Sequence, residues 1–132
     1  MALNIVLIEP EIPQNTGNIV RTCAALGATL HLVHPLGFSL DEKHLKRAGL
    51  DYWPQLTLRQ WSDSATFFEE TAGEERYYFT TKAPRSYSEV HYGEDVYLIF
   101  GKESAGLDEA LLAQEIQRCV RIPMRPAIRS LN

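Results

Sequence analysis

The chain has 132 residues, 45% of them apolar and 23% charged, with a formal net charge of −4. That size suits one domain, residues 1–132, around a single core and is too short for two. No charged leader precedes a hydrophobic stretch and no apolar run approaches the length of a bilayer span, so a cytoplasmic protein without a membrane partner is expected.

In chain order, residues 3–8 form a nearly continuous apolar run, as do residues 30–33, 77–79 and 96–100, with 120–122 a weaker case. Runs of this kind suit strands buried on both faces. After the first run comes Glu9-Pro10-Glu11-Ile12-Pro13, then a helical pattern over 15–26 with Ile19, Val20, Cys23 and Ala24 on one face. Pro13 reads as the end of the loop and Asn15 as a helix cap. Ser39-Leu40-Asp41-Glu42 reads as a capping box and Gly49 as a helix stop. Residues 63–72 and 108–117 are the remaining helices, the latter opened by Asp108. Strands alternating with helices predict an α/β fold, a mostly parallel sheet with helices on both faces.

In such sheets ligands collect beyond the carboxyl ends of the strands. Those ends lead into residues 9–13, 80–82, 101–106 and 123–132. Three constellations stand near them. Asn15, Asn18 and Arg21 recur every three residues opposite the apolar helix face, with Gly17 leaving room for close approach. A polar stripe there suits phosphate or ribose, although a solvated helix face reads the same way. Phe100-Gly101-Lys102-Glu103-Ser104-Ala105-Gly106-Leu107 runs from a strand into a loop with two glycines five apart. It imitates a P-loop, but Leu107 and Asp108 stand where Lys and Ser or Thr are needed, so an NTPase reading fails. The third is Arg121-Ile122-Pro123-Met124 with Arg129-Ser130-Leu131-Asn132. Apolar backbone that could line an adenine pocket is joined there to a basic, hydroxyl-bearing end.

Cys23 and Cys119 lack metal-ligand spacing and read as reduced, partly buried thiols; no metal site is expected. Acids cluster at Glu69, Glu70, Glu74 and Glu75, while Arg118, Arg121, Arg125 and Arg129 occupy an acid-free end. Lys43, Lys46 and Arg47, and then Lys82 and Arg85, form further basic runs. These are either solvated charges or patches that a dimer could pool against phosphates.

Taken together, the Asn-x-Gly-Asn-x-x-Arg helix, the Phe-Gly-x-Glu-x-x-Gly-Leu loop and the Ile-Pro-Met…Ser-Leu-Asn end resemble the SPOUT superfamily, in its ribose 2′-O-methyltransferase branch. Residues 9–18, with Arg47-Ala48-Gly49-Leu50-Asp51-Tyr52, are similar to the small tRNA (cytidine/uridine wobble-position) 2′-O-methyltransferases. The resemblance covers essentially the whole chain. It implies an α/β knot, S-adenosylmethionine as methyl donor without a metal, and a homodimer acting on the ribose of nucleotide 34 in a tRNA anticodon stem-loop. It implies cofactor contacts at Phe79, Thr80, Gly101, Ile122, Ser130 and Leu131, and active-site roles for Arg21, Asn15 and Glu103. Lys43, Lys46, Arg47, Arg121, Arg125 and Arg129 are then the RNA-facing cations. Relatives continue past Ser-Leu-Asn with an apolar helix that completes the knot and the dimer. Because this chain stops at Asn132, an incomplete knot and a poorly tethered 125–132 segment are expected. Two rival readings are a non-catalytic RNA-binding module on the same fold and a flavodoxin-like enzyme acting on a small nucleotide.

Overall fold

The computed structural model describes residues 2–40, 43, 47 and 54–124. The strands are β1 (Ala2–Ile8), β2 (Thr29–Val33), β3 (Thr57–Trp61), β4 (Glu75–Phe79), β5 (Arg85–Ser86), β6 (Asp95–Phe100) and β7 (Cys119–Arg121). They form one seven-stranded sheet in the order β3-β2-β1-β6-β4-β7-β5, and every pairing is parallel. The five predicted strands are all present, each within two residues of its expected bounds. β3 and β5 are additions. The expected Ser39-Leu40-Asp41-Glu42 capping box, through its Asp41 and Glu42, and the Gly49 stop lie outside the described residues, as do the expectations about the knot and residues 125–132.

Side chains alternate across the sheet because a strand has a period of two. Val6 and Ile8 of β1 join Val33, Trp61, Tyr78, Ile99 and Cys119 on one face. Leu7 joins Leu30 and Leu32 on the other, with Leu3 and Ile5 partly buried beside them. Both faces are therefore apolar, and both carry helices. α1 (Pro13–Leu26) covers the second face through Val20 and Cys23, both fully buried. α2 (Ser64–Glu70) and α3 (Glu109–Gln114) cover the first through Phe67, Phe68, Leu111 and Leu112.

The helix starts differ from the sequence reading. Asn15 does not cap α1. The helix begins at Pro13, with extended Ile12 before it and no capping side chain. Proline suits the first helical position, where its fixed φ is already helical and its missing N–H would have had no partner. Asn15 is thereby moved inside the first turn. Asp108 does precede α3 but makes no capping hydrogen bond, and the helix ends at Gln114, followed by a 3-10 turn at Ile116–Arg118. Asp63 provides a side-chain cap for α2, accepting from the Thr66 amide at 2.7 Å.

A polar chain runs through the core. His31 of β2 is buried, with Nε2 at 2.8 Å from Asn4 Oδ1, and Trp61 Nε1 donates to His31 Nδ1 at 3.0 Å. Indole nitrogen can only donate, so Nδ1 is the acceptor and the proton of neutral His31 sits on Nε2. Burial, with the Arg59 guanidinium secondary, pushes the imidazole down to about 4.

Candidate active site

Three neighbouring strands, β6, β4 and β7, end side by side, and Phe79 pairs in register with both Phe100 and Val120. The first residues beyond those strands are Gly101, Thr80 and Ile122. The parallel sheet thus collects three of the sequence-predicted cofactor positions, separated in the chain, along one carboxyl edge. The fourth, Phe79, closes β4 and stacks on Phe100 with ring centroids 4.5 Å apart. The Thr80 amide donates to the Val120 carbonyl at 2.9 Å, tying the β4 exit to β7. Ser130 and Leu131 lie outside the described residues.

The loop after β6 folds back on its own strand end. The Gly106 amide donates to the Lys102 carbonyl at 2.7 Å, and Gly106 has a left-handed φ of 71°. A Cβ on Gly101 would stand 2.2 Å from the Gly106 carbonyl carbon and 2.3 Å from the Leu107 nitrogen. Only glycine fits this approach of backbone on backbone. Buried Leu107 anchors the far side of the turn in the core. The turn is therefore closed by backbone on backbone, and Leu107 and Asp108 stand where a P-loop carries Lys and Ser or Thr.

Glu103, at the tip of this loop, reaches the segment leading into α1. Its carboxylate accepts from the Glu11 amide at 2.7 Å and the Ile12 amide at 3.3 Å. In return Glu11 accepts from the Ser104 amide at 2.8 Å and the Ser104 hydroxyl at 3.0 Å. Those two bonds hold the Glu11 carboxyl below its ordinary range, the amide contributing most. Lys102 pairs with Glu9 at 3.4 Å. Sequence reasoning missed Glu11, Ser104 and the Lys102–Glu9 pair; the flanking prolines at 10 and 13 were the only local hint of a constrained segment.

Of the α1 stripe, Asn18 and Arg21 are exposed and Asn15 is half-buried. Asn18, Arg21, Thr22 and Ala25 line a shallow depression on the outer side of the helix. Arg21 lies eight residues beyond Pro13, about 12 Å along the helix axis from the end that Glu103 holds. The three predicted active-site residues are therefore carried on two structural units, the β6 loop and α1.

The RNA-facing candidates divide as well. Lys43 and Arg47 are exposed. Arg121 is half-buried and donates to the Ala83 and Pro84 carbonyls at 3.2 and 3.0 Å, so it braces a turn of the protein. Lys46, Arg125 and Arg129 lie outside the described residues. Lys82 pairs with Glu109 at 2.6 Å, and Arg85 donates to the Gln117 carbonyl. Both cysteines are buried free thiols; burial lifts Cys23 to about 11 and Cys119 above its ordinary range, which argues against nucleophilic use.

Fold and site together define a class: a parallel α/β domain in which Thr80, Gly101 and Ile122 leave adjacent strand carboxyl ends and the glycine loop after β6 departs from the P-loop pattern at Leu107 and Asp108. The chain belongs to the SpoU rRNA Methylase family, whose sequence pattern matches residues 2–132. A relative from Listeria monocytogenes serotype 4b (strain F2365) is 50% identical over all of this chain, which spans 80% of its length. The tRNA (cytidine(34)-2′-O)-methyltransferase of Escherichia coli (strain K12) is 45% identical over 98% of this chain and 83% of its own. A solved structure that gives insight into the 2-OH methylation of C/U34 on tRNA superposes with a TM-score of 0.92 at 48% identity, covering 99% of this chain and 86% of that one. The AdoMet-bound rRNA methyltransferase of Sinorhizobium meliloti shares the fold, with a TM-score of 0.86 at 24% identity over 99% of this chain and 51% of that one.

Proposed function

We propose that this protein transfers a methyl group from S-adenosylmethionine to the ribose 2′-hydroxyl of the wobble nucleotide, cytidine or modified uridine 34, in the tRNA anticodon stem-loop, acting as a homodimer. The observation that carries the reading is the alignment of Thr80, Gly101 and Ile122 on three adjacent strand ends, in a chain 48% identical to a protein studied for that methylation. The backbone around Thr80, Gly101 and Ile122, with the Phe79 ring, would hold the adenosyl portion; Ser130 and Leu131 are assigned to the same site by sequence resemblance alone.

S-adenosylmethionine supplies a methyl group already activated on a sulfonium. What the chain's own residues contribute is orientation and management of one proton. Placing the 2′-oxygen about 3 Å from its target supplies several kcal/mol of the barrier reduction. Arg21 is not the base, because a guanidinium stays protonated in proteins. Its fork suits a phosphate held in two-point contact and a developing alkoxide, with phosphate or water accepting the proton. Asn15 and Asn18 extend the same polar stripe toward the ribose.

The test is methyl incorporation by the full-length protein into tRNA carrying either a ribose or a 2′-deoxyribose at nucleotide 34. Incorporation is expected only with the ribose, and Arg21→Lys is expected to lose most of the rate because lysine lacks the fork. Equal incorporation into the 2′-deoxy tRNA would place the methyl elsewhere and overturn the reading.

A further inference from the structure

We propose that Glu11 and Glu103 form a reciprocal latch that positions helix α1 against the β6 loop, making both of them positioning residues for methyl transfer and Glu103 not a group that meets substrate. The inference rests on the proposed methyltransferase reading and deepens it by saying how the two halves of the site are held in register.

The geometry is reciprocal. Each glutamate sits on one segment and accepts hydrogen bonds from the other: Glu103 from the amides of Glu11 and Ile12, Glu11 from the amide and hydroxyl of Ser104. Both carboxylates are thus directed at protein donors, and charge-assisted bonds of this type are stronger than neutral ones. The segments are the exits of β1 and β6, which are neighbours in the sheet, so the latch ties loops that start side by side.

Two further features hold the same segment. Glu9 leaves β1 with a left-handed φ of 51°, a conformation uncommon for a residue other than glycine, while its amide bonds Val33 and its carboxylate meets Lys102. From the opposite side, the Gly37 amide donates to the Pro10 carbonyl at 2.9 Å, and a Cβ at Gly37 would stand 2.9 Å from the Glu11 Cα. The segment is gripped by the loops after β2 and β6 together.

The β6 loop does not need the latch for its own shape. Gly101 packed on Gly106 and Leu107, with the Gly106–Lys102 bond, already closes it. What the latch sets is the placement of α1, with Asn15 and Arg21, relative to that loop. Breaking it should therefore slow transfer while leaving cofactor affinity nearly unchanged, a split that general destabilisation of the fold would not produce.

The experiment uses the full chain with Glu11→Ala, Glu103→Ala, the double variant and Glu11→Gln. Hydrogen exchange is read at residues 9–12 and 102–105, S-adenosylhomocysteine affinity by calorimetry, and kcat and KM on tRNA. Each alanine variant is expected to lose at least about tenfold in kcat, since small misplacements of reacting groups are costly. Affinity for S-adenosylhomocysteine should stay within about twofold, and the double variant should be no slower than the worse single, because both remove one shared device. Glu11→Ala should speed exchange at 102–105 and Glu103→Ala at 9–12. Glu11→Gln, whose amide carbonyl can still accept from Ser104, should recover part of the rate. Wild-type kcat in Glu11→Ala, multiplicative losses in the double variant, or a loss confined to cofactor affinity would each overturn the latch. Reciprocal exchange effects in the two alanine variants, with a wild-type protein that methylates no tRNA, would instead overturn the methyltransferase reading, and with it the catalytic purpose of the latch.

Discussion

Gly101 and His31 show how single positions are constrained for different ends. At Gly101 the constraint is space: a methyl group there must displace the Gly106–Leu107 backbone, which no rotamer change can relieve. Gly101→Ala is expected to keep the helical content of the domain while weakening S-adenosylhomocysteine binding at least about tenfold, since a displaced cradle loses several contacts together. Wild-type affinity by calorimetry would show that the loop is not the adenosyl wall. At His31 the constraint is protonation. The folded imidazole, at about 4, stays neutral, whereas the unfolded chain takes up a proton near the ordinary 6.5. Stability from this group is therefore complete above about pH 6.5 and is lost as pH falls toward 4, by up to about 3 kcal/mol over that window. Urea midpoints of the wild type and His31→Phe should converge on acidification. Carboxylates titrate equally in both proteins, so parallel curves would mean that His31 carries its proton in the folded state.

Among the elements, α2 has one fully buried side chain. It has seven residues, of which only Phe67 is buried, and helices so short do not persist in water without docking. The Phe67 ring meets His31, Trp61, Phe68 and Tyr97, with centroids 5.2 to 6.2 Å apart. Phe67→Ala should cost about 3–5 kcal/mol by denaturant unfolding; a loss under about 1 kcal/mol would mean that the cavity collapses at little cost. The strands readable from sequence were those buried on both faces, because continuous apolar runs record that burial directly. β3 escaped notice since it lies at the sheet edge, where Thr57, Arg59 and Gln60 are exposed and only Trp61 is buried. β5, two residues long, has no period to read. Asn15 was misread as a cap because residue type alone cannot show that Pro13 already occupies the first helical position. Glycine spacing made the β6 loop legible. The Glu11–Ser104 contact, 93 residues apart in the chain, leaves no local pattern and needed the fold to appear.

For the molecule as a whole, the open matter is how a chain of net charge −4 would hold a polyanion. Charge is grouped along the chain: Glu69, Glu70 and Glu74 are exposed around the end of α2, while Lys43 and Arg47 are exposed on a different segment, the one following β2. Arg121 differs from both sets, because its Nη1 donates to the Ala83 and Pro84 carbonyls and ties it to a turn of the protein. These cations should therefore behave differently when removed. Phosphate contacts release counterions, so each one lost reduces the salt dependence of binding, and two lost contacts should lower the slope of log K against log salt by about 1.5. Lys43→Gln with Arg47→Gln is expected to weaken tRNA binding uniformly across anticodon sequences and to flatten that slope, without altering S-adenosylhomocysteine affinity. Arg121→Gln is expected to leave the slope in place and to disturb the β4–β7 side of the cleft, since it frees the turn at 83–84 beside Thr80. Binding measured between low and physiological salt separates the two: an unchanged slope in the Lys43/Arg47 double variant would remove these residues from the RNA interface. A flattened slope in Arg121→Gln would return that arginine to it.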